Sequence, residues 1–335
     1  MISLDDIRAA ATVIAPHVVR TPLLPFGAGR WLKPESLQPI GAFKLRGALN
    51  ALARLENRSR GVVAYSSGNH AQAVAYAARL HGAPAAIVMP SNTPAVKVEA
   101  TRALGAEVFI VGITERVERA EALVAERGAA LIPPFDHPDV IAGQGTIGLE
   151  ILADVPDVDA VVVPMSGGGL ISGVATAIKT LSPDVRVIGA EPALAADIAD
   201  SLRAGSLVRW DPVDRARTVA DALRDEPSAL TWEHISELVD DVITVSEDEI
   251  LASVADLARR ARLVAEPSGA VAVAAQAKFG SGVAVVSGGN VDPELLAAAL
   301  TARLSQRGSD RACPAGPATG PHPLRNRSAV HLLAA

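Results

Sequence analysis

The sequence Val-Val-Val-Pro-Met-Ser-Gly-Gly-Gly-Leu at positions 161–170 decides the fold, because it joins a buried strand to a helix through a glycine loop. Its valines at 161–163 occupy successive positions, a pattern typical of parallel strands that are covered on both faces. An Ala-rich amphipathic stretch, 170–181, follows at once and predicts a helix. The segment therefore predicts a strand followed directly by a helix, the repeating unit of α/β proteins.

The same alternation of apolar runs and amphipathic stretches continues on both sides of this segment. Apolar runs predict further strands at 62–65, 86–89, 108–111, 187–189, 242–245 and 283–286. Amphipathic stretches predict helices at 70–81, 94–104, 115–127 and 247–265. Such an alternation is typical of an α/β fold with helices on both faces of the sheet. Ligands of open α/β sheets bind beyond the carboxyl ends of the strands, so the loops at those ends are the candidate sites.

Composition and charge exclude several classes of protein. The chain has 335 residues, of which 49% are hydrophobic and 20% charged, so it carries enough apolar surface for about two folded domains. Its 31 Lys and Arg against 37 Asp and Glu give a net charge of -6, which offers no basic field to DNA or RNA. We therefore expect a folded protein without a nucleic-acid partner.

Cysteine usage and the N-terminus indicate the compartment. The single cysteine, Cys313, can form neither an internal disulfide nor a thiolate metal cluster. Residues 1–6, MISLDD, carry acids where a secretory or transit signal needs bases and a long apolar stretch. No segment offers about 18 unbroken apolar residues to span a bilayer. We expect a cytoplasmic protein without a membrane partner.

The glycine loop at 166–169 is a candidate anion site. Consecutive glycines let backbone N–H groups close around an anion, and the dipole of the following helix adds to the attraction. The loop is not the dinucleotide fingerprint, because the next required glycine falls on Ser172, and the chain has no G-x-x-x-x-G-K-[ST] motif. A single monophosphate is the better ligand for it. The alternative is a tight strand-to-helix turn without a ligand.

Lys44 is a candidate nucleophile. It stands in Gly-Ala-Phe-Lys-Leu-Arg-Gly-Ala at 41–48, with apolar neighbours where a surface lysine has polar ones. Burial lowers the pKa of a lysine, and the neutral amine can form a Schiff base with an aldehyde. An aldehyde cofactor that carries one monophosphate is pyridoxal phosphate. The alternative is a helix lysine whose aliphatic stem covers apolar surface.

Six motifs stand in a family order. They are Lys33–Gln38 (KPESLQ), Gly41–Ala48, Ser66–Gln72 (SSGNHAQ), Gly143–Thr146 (GQGT), Ser166–Leu170 and Ser287–Asn290 (SGGN). In these motifs the chain resembles the serine/threonine dehydratases and serine racemases of pyridoxal-phosphate fold type II, over roughly residues 15–305. The resemblance implies an α/β fold of the tryptophan synthase β type, with two open, twisted, mostly parallel sheets and helices on both faces.

The resemblance also implies a division into domains. Residues 1–54 and 143–305 would form a large cofactor-binding domain, and residues 55–142 a small mobile domain that carries the substrate loop. Residues 306–335 are rich in Gly, Pro, Arg and Ser, which predicts a disordered tail. A homodimer is the expectation from the family.

The family assigns each cofactor contact to a residue of this chain. By similarity, Lys44 would hold the cofactor and then remove the α-proton of the substrate. Phe43 would stack on the pyridine ring, Asn69 would hydrogen-bond its 3′-oxygen, and Ser287 would meet the ring nitrogen. A hydroxyl at that nitrogen supplies less charge than an aspartate would, which favours loss of a β-leaving group. The phosphate would bind to the loop formed by Ser166, Gly167, Gly168, Gly169 and Leu170.

The substrate carboxylate would be held just after the strand at 62–65. The resemblance assigns it to Ser66, Asn69, His70 and the backbone N–H of Ala71, which together would orient the Cα–H bond. Ser67 is either a turn former or, as in racemising relatives, an acid/base on the face opposite Lys44.

A second constellation, Glu191 to Asp197, follows the strand at 187–189. Two carboxylates six residues apart with a carbonyl between them suit a hard cation such as Mg²⁺ or Ca²⁺. In the resembled family a divalent cation is bound by the equivalents of Glu191, the Ala195 carbonyl and Asp197. The alternative is a solvated helix start.

The resemblance implies an ammonia-lyase that converts L-threonine, L-serine or both to the 2-oxo acid and ammonium. Serine racemisation or dehydration of 3-hydroxyaspartate would use nearly the same residues. Ala222 stands where the family has a glycine close to the cofactor, and this raises a third possibility, a protein that binds the cofactor or an amino acid without turnover.

Overall fold

The computed structural model of the chain describes residues 1–66 and 68–309, which form two sheets flanked by helices. The strands among these residues are β1 (Leu24–Pro25), β2 (Arg30–Pro34), β3 (Val62–Tyr65), β4 (Ala85–Pro90), β5 (Glu107–Val111), β6 (Ala130–Leu131), β7 (Ala160–Pro164), β8 (Arg186–Pro192), β9 (Asp241–Val245) and β10 (Gly282–Val286). The predicted tail lies largely outside the described residues, although the last helix continues to Ser309.

The helices are α1 (Leu4–Ile14), α2 (Lys44–Ala53), α3 (Asn69–Leu80), α4 (Ala95–Ala103), α5 (Arg116–Arg127), α6 (Pro138–Asp154), α7 (Gly169–Leu181), α8 (Asp197–Ala204), α9 (Pro212–Arg215), α10 (Ala229–Leu238), α11 (Glu247–Asp256), α12 (Pro267–Phe279) and α13 (Pro293–Ser309). Short 3-10 turns occupy Glu35–Leu37 and Arg58–Arg60, and a π-helical turn occupies Leu257–Ala261. Within the described residues no helix is both long and apolar enough to cross a bilayer.

The larger sheet has the strand order β1-β2-β10-β7-β8-β9. All its pairs are parallel except β1 with β2. Strands β7 and β10 are buried along their whole length, since helices cover both faces of the sheet. This arrangement is the one that the run of valines at 161–163 predicts.

The smaller sheet has the strand order β5-β4-β3-β6, and all its pairs are parallel. Each of its strands lies within residues 55–142, the range predicted for the small domain. Helix α3 packs against α2, which carries Lys44, so the two sheets meet beside that helix.

The sequence prediction is confirmed for all seven strands and needs one correction among the helices. The stretch 247–265 is not one helix: α11 ends at Asp256, a π-helical turn follows, and Arg262 has a left-handed φ of 60°. The backbone N–H of Leu263 donates to the carbonyl of Leu257 at 3.1 Å, and both leucines lie in the core. Burying both side chains needs a wider turn than an α-helix provides.

The parallel pairing brings three predicted loops to the carboxyl ends of strands. Ser166–Gly168 follow β7, Ser287–Asn290 follow its neighbour β10, and Ser66 follows β3 of the smaller sheet. Open α/β sheets bind their ligands at the carboxyl ends of their strands, where these three loops lie.

Candidate active site

Lys44 is positioned by the loop that follows β10. The backbone N–H of Phe43 donates to the carbonyl of Ser287 at 3.0 Å, and Ala42 forms a bridge with Gly288. Helix α2 begins immediately afterwards, at Lys44. The Lys44 amine donates to the carbonyl of Pro134 at 2.7 Å and lies 5.2 Å from the centre of the Phe43 ring.

The charge of Lys44 is poorly compensated. Burial lowers the pKa of Lys44 to about 8, and the carboxylate of Asp225 only partly opposes that shift. Its hydrogen-bond acceptor, Pro134, is an uncharged carbonyl. A lysine in this state supplies the neutral amine that both nucleophilic attack and proton abstraction require.

The glycine loop presents backbone N–H groups to a ligand. Gly168 is the N-cap of α7 with a φ of 89°, and no side chain caps the helix. A Cβ at Gly168 would lie 2.7 Å from Cδ1 of Ile235, and one at Gly169 would lie 2.8 Å from Cβ of Phe135. Packing against these residues therefore requires glycine at both positions, and the uncapped N-terminus of α7 suits a phosphate group.

Ser166 is tied to a second loop, near residue 225. Its hydroxyl donates to the backbone carbonyl of Asp225 at 2.7 Å and accepts from the Asp225 N–H at 2.8 Å. The same loop is held at Ala222, whose N–H donates to the Ser268 hydroxyl at 3.0 Å. Ser287 is buried, and its hydroxyl donates to the Ser268 carbonyl at 3.5 Å. Ala222, the departure from the family pattern, is exposed and reaches Ser287 only through Ser268.

Asn69 is the first residue of α3, and both ends of its amide have partners. Its Nδ2 donates to Oε1 of Glu266 at 2.6 Å, and its Oδ1 accepts from Nδ2 of Asn290 at 2.7 Å. The Ser66 hydroxyl accepts from the N–H of Gly68 at 3.2 Å. Ser67 lies outside the described residues.

His70 is buried and neutral. Burial and the nearby Lys44 charge lower the pKa of His70 to about 3, against the effect of the Ile132 carbonyl. Its Nε2 lies 2.8 Å from that carbonyl oxygen, which can only accept, so Nε2 carries the proton. Nδ1 is buried without a hydrogen-bond partner among the described residues, which do not include Ser67, and it is left as an acceptor. The side chain of His70 therefore cannot donate to a substrate carboxylate, whereas the backbone N–H groups at the start of α3 can.

Glu191 and Asp197, the two carboxylates of the predicted cation site, are both buried. The two oxygens of Glu191 accept from the N–H groups of Ile198 and Ala199, at 3.2 and 2.8 Å. Burial raises the pKa of Glu191 well above its usual range, and the charge of Asp197 adds to the shift. Oδ2 of Asp197 has no hydrogen-bond partner, and NH1 of Arg215 lies 3.9 Å from it.

Sequence reasoning missed three residues of this site: Glu266, Asn290 and Asp225. Asn290 was within reach, because it ends the Ser287–Asn290 motif. Glu266 precedes Pro267, which is typical of a helix N-terminus and hides any second role. Asp225 lies in an irregular segment with no periodicity to indicate its place.

Comparisons with known proteins test the family resemblance and the fold class. The sequence profile of the family described as "Pyridoxal-phosphate dependent enzyme" matches residues 14–288. An L-threonine ammonia-lyase of Thermotoga maritima is 44% identical over 88% of this chain and 77% of its own length. An L-threo-3-hydroxyaspartate ammonia-lyase of Saccharomyces cerevisiae is 41% identical over 89% of this chain and 96% of its own length.

Among solved structures, a maize serine racemase superposes with a TM-score of 0.84 at 40% sequence identity, covering 92% of this chain and 99% of that one. These matches confirm both the family resemblance drawn from the six motifs and the predicted fold class.

Proposed function

The chain belongs to the family of pyridoxal-phosphate dependent enzymes, and from this membership we propose that it is an ammonia-lyase acting on L-threonine, L-serine or both. The products would be the 2-oxo acid and ammonium. The observation that carries the proposal is the position of Lys44. Its neighbour Phe43 is hydrogen-bonded to Ser287, and the charge of Asp225, whose backbone is hydrogen-bonded to Ser166 of the glycine loop, acts on the buried Lys44 amine. Threonine ammonia-lyases among the relatives support this choice of reaction.

The residues present fit pyridoxal phosphate. The glycine loop and the start of α7 would hold the phosphate, Ser287 would meet the ring nitrogen, and Phe43 would lie against the ring. Lys44 would carry the cofactor covalently. When bound, the cofactor supplies an electron sink for the carbanion that forms at the substrate Cα.

The chain's own residues would orient the substrate and move its proton. The N–H groups at the start of α3, near His70 and Ala71, would bind the carboxylate with help from the helix dipole and the Ser66 hydroxyl. Asn69 keeps one hydrogen of Nδ2 free for the 3′-oxygen of the cofactor, because Glu266 takes the other. Lys44 Nζ would accept the α-proton.

Two related reactions remain as the second candidate. The chain is about as similar to serine racemases as to a 3-hydroxyaspartate ammonia-lyase, at 40 to 41% identity. Ser67, with its proposed acid/base role on the face opposite Lys44, is the residue on which racemisation would depend. A panel of L-threonine, L-serine, D-serine and 3-hydroxyaspartate, assayed for 2-oxo acid and for the enantiomer, separates these reactions.

We also propose a divalent cation at Glu191, the Ala195 carbonyl and Asp197. Its support is that both carboxyls are buried and that Oδ2 of Asp197 has no hydrogen-bond partner within residues 1–66 and 68–309. The positive charge of Arg215, whose NH1 lies 3.9 Å from Oδ2 of Asp197, would compete with the cation for that carboxylate. Removal of metal with a chelator should lower the melting temperature, and readdition of Mg²⁺ or Ca²⁺ should restore it. An unchanged melting temperature would contradict the cation site.

The remaining proposals concern the protein as a whole. We propose a cytoplasmic homodimer in which residues 55–142 form the small mobile domain. Sedimentation at micromolar concentration tests the dimer, and a monomer at every concentration would contradict it.

Borohydride reduction followed by peptide mapping tests the central proposal. The reduced protein should carry the pyridoxyl label on Lys44, and threonine should yield a 2-oxo acid. An unlabelled chain, or a label on another lysine, would overturn the assignment. A labelled chain that turns over none of the four amino acids would leave the alternative of binding without turnover.

A further inference from the structure

A buried carboxyl that the proposed reaction does not use lies beside Asn69. Glu266 is the N-cap of α12 and is only 4% exposed. It accepts the 2.6 Å hydrogen bond from Nδ2 of Asn69, while Nδ2 of Asn290 donates both to Oδ1 of Asn69 and to the carbonyl of Ile40. The amide of Asn69 is therefore fixed at both ends, with its nitrogen toward Glu266 and its oxygen toward Asn290. We call these three side chains the Asn69 clamp.

The Asn69 clamp joins the two sheets. Asn69 follows β3 of the smaller sheet, whereas Asn290 follows β10 of the larger sheet and Glu266 begins α12, which packs on β7, β8 and β10. Lys44 lies close by, because the carbonyl of Ser287 in the same loop positions Phe43. The clamp thus sets how closely the substrate-binding end of α3 approaches the reactive amine.

The backbone is shaped to permit these contacts. A Cβ at Gly288 would overlap Oε1 of Glu266 and would lie 3.1 Å from Nδ2 of Asn69. The carbonyl of Gly288 also accepts from the N–H of Glu266 at 3.1 Å. A side chain at position 288 would displace the carboxyl from Asn69, so this glycine has a role beyond ending a strand.

We propose that Glu266 is a positioning residue of the ammonia-lyase reaction, whose carboxylate holds Asn69 across the two sheets and so fixes the substrate-binding end of α3 relative to Lys44. This inference rests on the proposed function for its effect on turnover. The clamp itself is a contact within the chain and can be measured without turnover.

The groups around Glu266 make the clamp sensitive to pH. Burial raises the pKa of Glu266 to about 7, and the charge of Asp221 adds to the shift, while the hydrogen bond from Asn69 and the charge of Lys97 oppose it. Lys97 and Asp221 pair with each other at 3.1 Å. An ionised carboxylate accepts a stronger hydrogen bond than a neutral acid, so the clamp holds Asn69 more firmly above pH 7.

Ionisation of Glu266 has the opposite effect on stability. The pKa is raised on folding, so the stability contributed by the neutral acid is present below its usual pKa and is lost as pH rises through about 7. Glutamine has the shape of a neutral glutamic acid and does not ionise, so a Glu266→Gln variant does not lose this stability as pH rises. Glu266→Gln should therefore melt at a higher temperature than the unsubstituted holoenzyme at pH 8.5, and at nearly the same temperature at pH 5.

The experiment compares Glu266→Gln, Glu266→Ala and Asn290→Ala with the unsubstituted holoenzyme. For L-threonine at pH 8.5, Glu266→Ala should lower kcat/KM by roughly 10- to 100-fold, the loss expected when a charge-assisted hydrogen bond is removed. Glu266→Gln keeps an acceptor, so it should lose less and should flatten the rise of kcat/KM across pH 6–8. Borohydride should still label Lys44 in each variant.

Hydrogen exchange supplies the readout that needs no turnover. In Glu266→Ala and Asn290→Ala, the hydrogen-bonded amides of α3 from Gln72 onward should exchange faster by roughly tenfold or more, while those of β7 remain unchanged. Asp240→Asn is the matched control, because Asp240 accepts from the N–H of Val187 at 2.6 Å at the opposite end of the larger sheet. It should change neither exchange in α3 nor the pH profile.

Three results would overturn the inference: unchanged exchange in α3 in both alanine variants, an unaltered pH profile in Glu266→Gln, or faster exchange throughout the chain, which indicates general destabilisation. If Glu266→Ala does not fold, Glu266→Gln and Asn290→Ala decide the question. If the unsubstituted enzyme deaminates nothing but exchange in α3 still depends on Glu266, the proposed function fails and the clamp stands.

Discussion

Lys44 and Arg46 stand two positions apart on α2, yet burial acts on their charges in opposite ways. Arg46 is buried between Glu35, at 2.8 Å, and Glu150, at 2.7 Å. Burial alone would lower the pKa of Arg46, but these two carboxylates raise it above its usual value. Among the described residues, the acceptor of the Lys44 amine is the Pro134 carbonyl, and burial lowers the pKa of Lys44 to about 8. Side chains two positions apart point to different sides of a helix, so Lys44 and Arg46 lie in different surroundings.

The same contrast holds for two buried glutamates. Glu35 lies between Arg46 and the Lys33 charge, and although burial opposes them, these cations lower the pKa of Glu35. Glu266 has an amide as its partner, and burial raises the pKa of Glu266 to about 7. Glu35 and Arg46 thus compensate each other in an ion pair, whereas Lys44 and Glu266, beside the candidate active site, have uncharged hydrogen-bond partners.

Loss of the Lys44 amine should have the largest effect of any single change. Lys44→Ala should lower deamination of L-threonine by at least about 10³-fold, because it removes both the covalent link to the cofactor and the base. Formation of 2-oxo acid measures the loss. Lys179→Ala, which removes a surface cation paired with Asp240, should retain activity. Residual activity within tenfold of the original would show that the uncompensated amine is not the reactive group.

Loss of the compensated cation should damage the fold. Arg46→Met should lower the free energy of unfolding by about 3–5 kcal/mol, since Glu35 and Glu150 would stay buried without their partner. Denaturant unfolding measures the change. Arg119→Met is the matched control, because Arg119 pairs with Glu126 on the surface and should contribute at most about 1 kcal/mol. Equal effects in the two variants would remove the distinction between the buried ion pair of Arg46 and the surface pair of Arg119.

The next prediction concerns the glycine loop, which would bind the negative charge of the cofactor phosphate. Gly168→Ala should weaken the binding of pyridoxal phosphate by roughly 10- to 100-fold, because the left-handed φ and contacts with Ile235 and Thr231 would shift the loop. Fluorescence titration of the cofactor-free protein measures the affinity. Gly205→Ala has a similar φ of 69° in open space and should leave the affinity unchanged. Equal affinities for both variants would argue against an anion site at the loop.

The smallest effect concerns the stability of the cofactor-free protein. The pKa of Lys44 falls on folding, so its contribution to stability is lost as pH drops through about 8. Lys44→Met should therefore raise the free energy of unfolding at pH 7 by about 1–2 kcal/mol after allowance for solvent screening, with no gain above the usual lysine pKa near 10.5. Melting curves at pH 7 and pH 10.5 test this. A lower stability at pH 7 would contradict an uncompensated charge.

Much of the fold was predictable because strands buried on both faces are apolar without interruption. The runs at 161–163 and 283–286 became β7 and β10 for this reason. Strand β2 was missed because Arg30 and Lys33 interrupt its apolar pattern. Lys33 is buried in this strand with two partners, the Thr21 carbonyl and, from α6, the carboxylate of Glu150, each at 2.6 Å. No local pattern contains Glu150, which lies 117 residues away.

The residues of the candidate site likewise divide into those that the sequence predicts and those that it does not. Lys44 was predictable from its apolar neighbours and the loop at Ser166–Gly169 from its glycines, since each needs only adjacent residues to indicate its chemistry. Glu266 was not predictable, because its role depends on a hydrogen bond from Asn69, which lies 197 residues away in sequence. The sequence identified His70 as a candidate but not its tautomer, because the Ile132 carbonyl decides which ring nitrogen carries the proton.

The sequence by itself determined the alternation of strands and helices, the glycine loop and the lysine, because periodicity, backbone freedom and apolar neighbours are properties of adjacent residues. Only the tertiary structure decided which buried charges are compensated. Lys44 and Arg46 are both cations on one short helix. They differ because packing brings carboxylates from distant segments to Arg46 and leaves Lys44 with a carbonyl.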